Sequence, residues 1–527
     1  MRKTVMALLL VMSLLGTTAG IAAVTVTAPG EFPIVTEPIT LTATVVQTPV
    51  QIDFNDVQIL KDFEEKSGIN VEYTCIPSDM RLERLNLMLA SADVTDILYK
   101  MQVSITDQAK YGADGLFLPM SDYYDYMPNL RRWYDEFPTA EAAVTLPDGK
   151  SYGLPYILAG YAIRMGGRMY FNSDVLEKAG YDHVPTTLDE LTEFFRAIKG
   201  WDYNGTGNGD AIPLSSSTVD YIQNVFKGSF GLNNRGSSHP NVFVNKDGDL
   251  AFQYISPNYR EELRYLNMLY TEGLLDQDIF TNDQATMIAK CSTGQVLTYV
   301  FVNNSFVSNS PYEEFTVGMK EPFTGPNGDK IWGMYSLPSS SLGMFVMTYT
   351  NKYPEATARW ADYWYSDQGI LEYFMGIEGV TYEADAASPG GYKLTDFVLK
   401  NPDGRDFETV LGAYVPWAGG GNPSVATNEF FKGGETWPCS LEAAAGLINY
   451  VPEIVWPAFT YAVEAATELS SIQLDMDTYL KEWRANFITG QRSLDADWDE
   501  FVGGYEALRL PRYMEIYKAA AAAYMAK

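Results

Sequence analysis

An α/β fold, with helices laid on the faces of parallel sheets, is what this sequence predicts. Strand-like apolar runs alternate with amphipathic helical segments over the first hundred residues, and the same alternation returns in the middle of the chain. Apolar residues then recur at helical intervals beyond residue 440, which predicts a helix-rich C-terminal third.

The elements follow in order. Ile39, Leu41, Ala43 and Val45 alternate with Thr and Val residues and read as a strand. Val57, Leu60 and Phe63 repeat with helical spacing, and Gly68 stops that helix. Ile69 to Ile76 is a second strand, Leu82 to Leu89 a second helix, and Asp96 to Tyr99 a short third strand. In the middle, Met169 to Asn172 is strand-like, and Asp174 to Ala179 is a short helix ended by Gly180. Thr186 and Thr187 cap a helix over Leu188 to Ile198, with Glu190 placed for a capping box. Ala443 to Leu469, Met476 to Phe487 and Tyr513 to Met525 complete the helical third.

The chain of 527 residues is long enough for more than one core, and 14% aromatic content predicts a well-buried protein. With 37 Lys+Arg against 67 Asp+Glu the formal charge is −30, a field that repels phosphate backbones and excludes nucleic acid as the expected partner. Arg2 and Lys3, the apolar run Val5 to Leu15, and small residues through Ala23 read as a signal peptide over 1–22, too short for a comfortable membrane span. Export is therefore expected, to the periplasm or the cell surface. Residues 23–35 are Thr-, Pro- and Ala-rich and read as a tether. Cys75, Cys291 and Cys439 are far apart in sequence and read as small buried apolar residues, with one disulfide as the lesser alternative. Gly16 to Ala23 contains no cysteine to carry a lipid.

The sharpest local motif is Asp202-Tyr203-Asn204-Gly205-Thr206-Gly207-Asn208-Gly209-Asp210. Oxygen-bearing side chains recur at every second position, and glycines permit a tight loop, as a hard cation such as Ca²⁺ requires. Ala211 and Pro213 stand where such loops often carry Glu, so charge and denticity are reduced. The competing reading is a metal-free Asx/Gly turn.

Three stretches resemble the extracellular solute-binding family of ABC sugar importers, in its large LipO-like and alginate-binding-protein-like branch. The first is Tyr152-Gly153-Leu154-Pro155-Tyr156, followed by Tyr170 to Gly180 and Pro185 to Leu191. The second is Lys352 to Ala356, Asp362 to Ser366 and Gly376 to Val380; the third is Phe487 to Gly490, Trp498-Asp499 and Arg512 to Tyr517. The resemblance implies a two-lobed, type II periplasmic-binding-protein-like fold that closes on its ligand by a hinge. It places 36–160 plus 298–342 in an N-terminal lobe and 161–297 plus 343–527 in a C-terminal lobe. It also implies a structural calcium held by Asp202, Asn204, Thr206, the Asn208 carbonyl and Asp210.

A sugar-binding cleft needs aromatic faces for the C–H surfaces of the rings and polar groups for their hydroxyls. Tyr161 and Arg164 flank the first expected crossing between lobes, Asn303 marks the second, and Trp332 and Tyr335 precede the third. Trp417 and Trp437 sit in glycine- and proline-flanked loops, and Trp456 precedes a helix, resembling the aromatic that such binders place over the cleft. Core packing is the competing fate of each ring. With only His183 and His239, far apart, and no HExxH, GxSxG or P-loop motif, no enzyme constellation is evident. The expected function is capture of an oligosaccharide by a monomeric binder that delivers it to ABC permeases without turnover. A secreted glycoside hydrolase or polysaccharide lyase and a glycan-binding adhesin are the alternatives.

Overall fold

The structure, a computed structural model, describes residues 24–525 apart from 309, 402, 404, 406, 419, 420 and 460. The signal peptide expected over 1–22 lies outside the described residues.

Two sheets organise two lobes. The first runs β14-β4-β11-β3-β1-β2 and the second β10-β5-β9-β6. In the first, β1 (Ile39–Gln47), β2 (Ile69–Pro77) and β3 (Ile97–Tyr99) pair in parallel, as the alternation with helices requires. β11 (Ser339–Met347) then joins β3 to β4 (Gly153–Leu158) by antiparallel pairing, and β14 (Val425–Ala426) closes the edge. In the second, β5 (Arg168–Asn172) lies between β10 (Thr316–Gly318) and β9 (Thr298–Phe301), both antiparallel to it, with β6 (Ser215–Ser216) outermost. Two hairpins stand apart: β7 (Val242–Val244) with β8 (Leu250–Phe252), and β12 (Tyr382–Ala384) with β13 (Tyr392–Leu394).

Local signals are obeyed. Gly68 ends the helix Gln58–Ser67 at φ 76° and donates its N–H to Glu64 O, a left-handed cap open to glycine at little cost. Thr187 accepts the Glu190 N–H at 3.1 Å, while the Glu190 carboxylate accepts the Thr186 N–H at 2.8 Å, so the capping box forms one residue out of the standard register. The continuous C-terminal helix expected over Ala443 to Leu469 is instead broken. Pro438–Leu447 is one helix and Val463–Thr489 another; Pro452 and Pro457, which cannot donate within a helix, lie between them.

The division of the chain between lobes also differs from the expected one. β9 pairs with β5, so 298–301 belongs to the second lobe, and β11 pairs with β3 and β4, so 343–347 belongs to the first. The first core gathers residues from 34–158 and 344–431; the second gathers 162–332 and 444–521. Both strands are short apolar runs, and periodicity carries no information about a strand's partner. Nor is the segment 24–35 a free tether. Val26 bridges Val35, Ile34 is fully buried, and Arg359 donates to the carbonyls of Thr27, Ala28 and Glu31. The three cysteines are unpaired, with Cys291 buried and Cys75 and Cys439 half-buried.

Trp417 and Trp332 are core residues. Trp417 is 3% exposed, packs on Phe374 and Phe431, and donates Nε1–H to Phe374 O at 2.7 Å. Trp332 is 1% exposed and donates Nε1–H to Met165 O at 2.9 Å. A flanking Pro or Gly shows that a loop turns; it does not say whether the ring turns outward. Trp417→Ala is therefore expected to lower stability by about 3–5 kcal/mol, read as a fall in denaturant midpoint. An unchanged midpoint would contradict the core placement.

The second core also encloses charge. Glu262, on the helix Pro257–Thr271, is fully buried beside Gln223, with Lys227 and Arg484 as the nearby charges. Burial pushes its carboxyl up to about 8. Between about pH 4.5, where the unfolded chain releases this proton, and about pH 8 the native state holds more protons, so this group makes stability fall as pH rises. Glu262→Gln should remove that component. Melting curves from pH 5 to pH 8 should show the variant gaining on the wild type as pH rises; a constant difference would refute the burial effect.

Candidate ligand-binding cleft

The chain passes between the lobes three times: from β4 to β5, from β10 to β11, and from β14 to the helix Pro438–Leu447, which packs on β10. The expected crossing at Asn303 is not among them, because β9 and β10 share one sheet.

The crossing segments run side by side and are tied by backbone hydrogen bonds. Leu158 N donates to Pro338 O at 2.6 Å, Gly160 N to Ala426 O at 2.9 Å, and Ser336 N to Arg164 O at 2.9 Å. A Cβ at Gly160 would collide with Asn428, so only glycine allows this approach. Arg168, fully buried at the start of β5, donates to the carbonyls of Val302, Ala162 and Ser440. It thereby links the first crossing, the turn after β9 and the helix that follows the third crossing.

Glu435 lies in the third crossing, and burial raises its carboxyl above the usual range, against the pull of Arg168 and a hydrogen bond from Asn303. Its negative field reaches Tyr156 of the first lobe and Tyr170 and Tyr221 of the second. Asn303 is 8% exposed, and a Cβ on Gly434 would strike its side chain, so it abuts the third crossing although it lies in none. Away from the hinge the lobes meet again, where the helix Ile105–Ala113 of the first lies against the helix Val463–Thr489 of the second. The seam is thus bounded at both ends.

The expected residues are spread about this seam: Tyr161, Arg164 and Tyr335 lie at the crossings on the second lobe's side, Trp437 meets a first-lobe ring, and Trp456 is a second-core residue. Tyr161 is half-buried against the second core. The Arg164 guanidinium lies 5.1 Å over the Tyr335 ring. Trp456 is 4% exposed, packed on Phe459 and His239, with the Arg235 guanidinium 5.4 Å over its ring. It is therefore covered by Arg235, not open as a platform. Trp437 is half-buried at the start of the helix Pro438–Leu447, 6.2 Å from Phe407. Trp332 and Trp417 are core residues; Trp332 lies in the second crossing and bonds to Met165 O of the first, but its ring is buried, and Trp417 packs in the first core. Sequence reasoning missed Arg168, Arg235 and Glu435. Glu435 lay two residues before Trp437, in the same glycine- and proline-flanked loop, but nothing local distinguished it from other carboxylates of an acidic chain.

The oxygen-rich loop lies on the surface of the second lobe. Gly205, Gly207 and Gly209 take φ of 68°, 81° and 57°, all left-handed, which lets successive side chains turn to one side. Asp202 Oδ1 accepts the Gly207 N–H, Asn204 Oδ1 accepts from Thr206, and Asn204 Nδ2 donates to Asp210 Oδ1. Ala211 N donates to Trp201 O and Gly200 N to Ala211 O, closing the base. Among the described residues no three His, Cys, Asp or Glu side chains are grouped to hold a metal. A cation here would rest on two carboxylates supplemented by amide, hydroxyl and carbonyl oxygens, a donor set suited to a hard ion.

Comparison with known proteins agrees with this geometry. The family model described as bacterial extracellular solute-binding protein matches residues 58–398. The chain is 27% identical over 483 residues to the fructooligosaccharide ABC transporter substrate-binding protein FusA of Streptococcus pneumoniae serotype 4 (strain ATCC BAA-334 / TIGR4), covering 88% of this chain and 86% of that one. It is 22% identical to the polygalacturonan/rhamnogalacturonan-binding protein YtcQ of Bacillus subtilis (strain 168), over 54% of this chain and 56% of that one. The solved structure of FusA with kestose superposes with a TM-score of 0.73 at 25% identity, covering 93% of this chain and 100% of that one. An HMO-binding, ABC-transporter-associated solute-binding protein from Bifidobacterium longum infantis ATCC 15697 shares the fold, with a TM-score of 0.78 at 21% identity over 92% of this chain and 98% of that one. With a family match over more than half its length and two sheets joined by three crossings, the chain belongs to the bacterial extracellular solute-binding proteins.

Proposed function

We propose that this protein captures an oligosaccharide in the seam between its lobes and hands it to the permeases of an ABC importer. The observation that carries this reading is the bundle of three hydrogen-bonded crossing segments, with Tyr161, Arg164, Tyr335, Asn303 and Trp437 at or beside it. Such a hinge lets two rigid lobes change their separation while few backbone dihedrals move. FusA, the relative matched over most of its length, is named for fructooligosaccharide transport. The protein acts outside the cytoplasmic membrane, as a monomer and without turnover. His239 is buried, pushed down to about 4 by desolvation, and His183 sits in a surface ion pair with Asp182 and Glu190, so neither is placed as a general base in the seam.

A ligand that touches both lobes favours the closed arrangement and must shift the population toward it. Oligosaccharides, kestose among them, should raise the melting temperature, emerge chemically intact after incubation, and reduce the radius of gyration in small-angle scattering. Shortened products would favour a hydrolase or lyase, and binding with no compaction would refute hinge closure.

The 202–210 loop is proposed to hold a structural Ca²⁺ through Asp202, Asn204, Thr206, the Asn208 carbonyl and Asp210. One solved FusA structure is of an EF-hand mutant with fructo-nystose, which supports a cation loop in a relative. Calcium bound only to the native state stabilises it by mass action. A chelator should lower the wild-type melting temperature, and Asp202→Ala should abolish that sensitivity; identical melts with calcium and with chelator would make the loop a plain turn.

A further inference from the structure

Two arginines at the seam have no acidic partner among the described residues. Many guanidiniums elsewhere in this chain meet carboxylates, as in Arg132–Asp367, Arg196–Glu272, Arg512–Glu468 and Arg484–Asp220, and the buried Arg168 and Arg359 are satisfied by several backbone carbonyls instead. Arg164 and Arg235 have neither. Arg164 has one long hydrogen bond, from Nη2 to Ala159 O at 3.5 Å, and Arg235 has one, from Nη1 to Asn234 O. The Nε–H of each is buried and unpartnered. No carboxylate acts on either, and burial alone drives both below the ordinary guanidinium range.

The two belong to one continuous strip. Arg164 O accepts the Ser336 N–H, Ser237 N donates to Tyr335 O, the Ser237 and Ser336 hydroxyls meet at 2.7 Å, and Trp456 N donates to Arg235 O. Each guanidinium sits over an aromatic ring, Arg164 at 5.1 Å from the Tyr335 centroid and Arg235 at 5.4 Å from that of Trp456. A desolvated guanidinium with vacant donors is costly unless an acceptor completes it, and an anionic acceptor with two oxygens matches its fork best. In a chain of formal charge −30 no long-range field would draw in an anion, so local positive charge would have to secure it.

We propose that Arg164 and Arg235 form an anion subsite, and that the captured oligosaccharide is acidic, carrying a carboxylate or sulfate group. This rests on the seam being the sugar site. The guanidiniums supply charge-assisted donors, while Tyr335 and Trp456 hold them in place.

Calorimetry on the wild-type protein with two panels tests it: acidic oligosaccharides (oligogalacturonate, oligoalginate and a sulfated oligosaccharide) and neutral ones (fructo-, manno- and xylo-oligosaccharides). The tightest binder should be acidic; its carboxylate or sulfate identity separates the two anion classes. For a uronate ligand, methyl esterification, which removes the charge and keeps the rings, should weaken binding at least about tenfold, and Arg164→Gln and Arg235→Gln should each do the same with melting temperatures near wild type. For a sulfated ligand, desulfation takes the place of esterification. If the tightest binder is neutral, the anion subsite is overturned and sugar capture stands. An acidic ligand indifferent to both arginines, or to loss of its own charge, also overturns it. If no member of either panel binds, sugar capture falls and the subsite with it.

Discussion

The rest of this structure hangs on the place where three crossing segments lie side by side and bond to one another. Leu158 with Pro338, Gly160 with Ala426, and Arg164 with Ser336 satisfy backbone groups that would otherwise be stranded between two cores. Because the bonds run between the crossings, the segments can bend together without losing partners. Arg168 adds a buried anchor whose donors end on three carbonyls from different parts of the second lobe, so the lobe's strand, turn and helix share one fixed point beneath the hinge.

On either side the lobes are rigid for reasons of packing. The first core interlocks Phe63, Tyr99, Phe345, Trp360 and Trp364 in edge-on and stacked pairs. The second sets Phe194 against Phe171 and Tyr181, and ties its C-terminal helices through Phe487, Trp498 and Phe501. Dense aromatic cores deform little. The proposed hinge movement would therefore fall on the crossings, where Tyr161, Arg164 and Tyr335 lie.

Much of the architecture was legible because local chemistry specifies it. Gly68 had to end its helix, Thr187 and Glu190 had to start theirs, and the strand–helix alternation had to give parallel pairing of β1, β2 and β3. The candidate site was legible in part. Tyr161, Arg164 and Tyr335 were flagged by their nearness to expected crossings, and they lie at crossings; Asn303 was flagged for a crossing that is not there, and it reaches the hinge only by abutting Gly434. Trp417 and Trp332 were flagged by their loops or positions and lie in cores, since nothing adjacent in sequence records which way a ring turns.

By itself, then, the sequence determined most of the elements, several caps, the α/β class and the family, all of which rest on neighbours within a few positions or on ordered words along the chain; the break after Leu447 it missed. Tertiary structure alone decided that β9 pairs in the second sheet and β11 in the first, so that 298–301 and 343–347 exchange lobes relative to expectation. It alone placed Arg235 over Trp456 and Glu435 between the lobes. The physical reason is common to these cases: strand pairing, ring orientation and the loss of a charge's partner depend on residues hundreds of positions away, and no period in the chain encodes them.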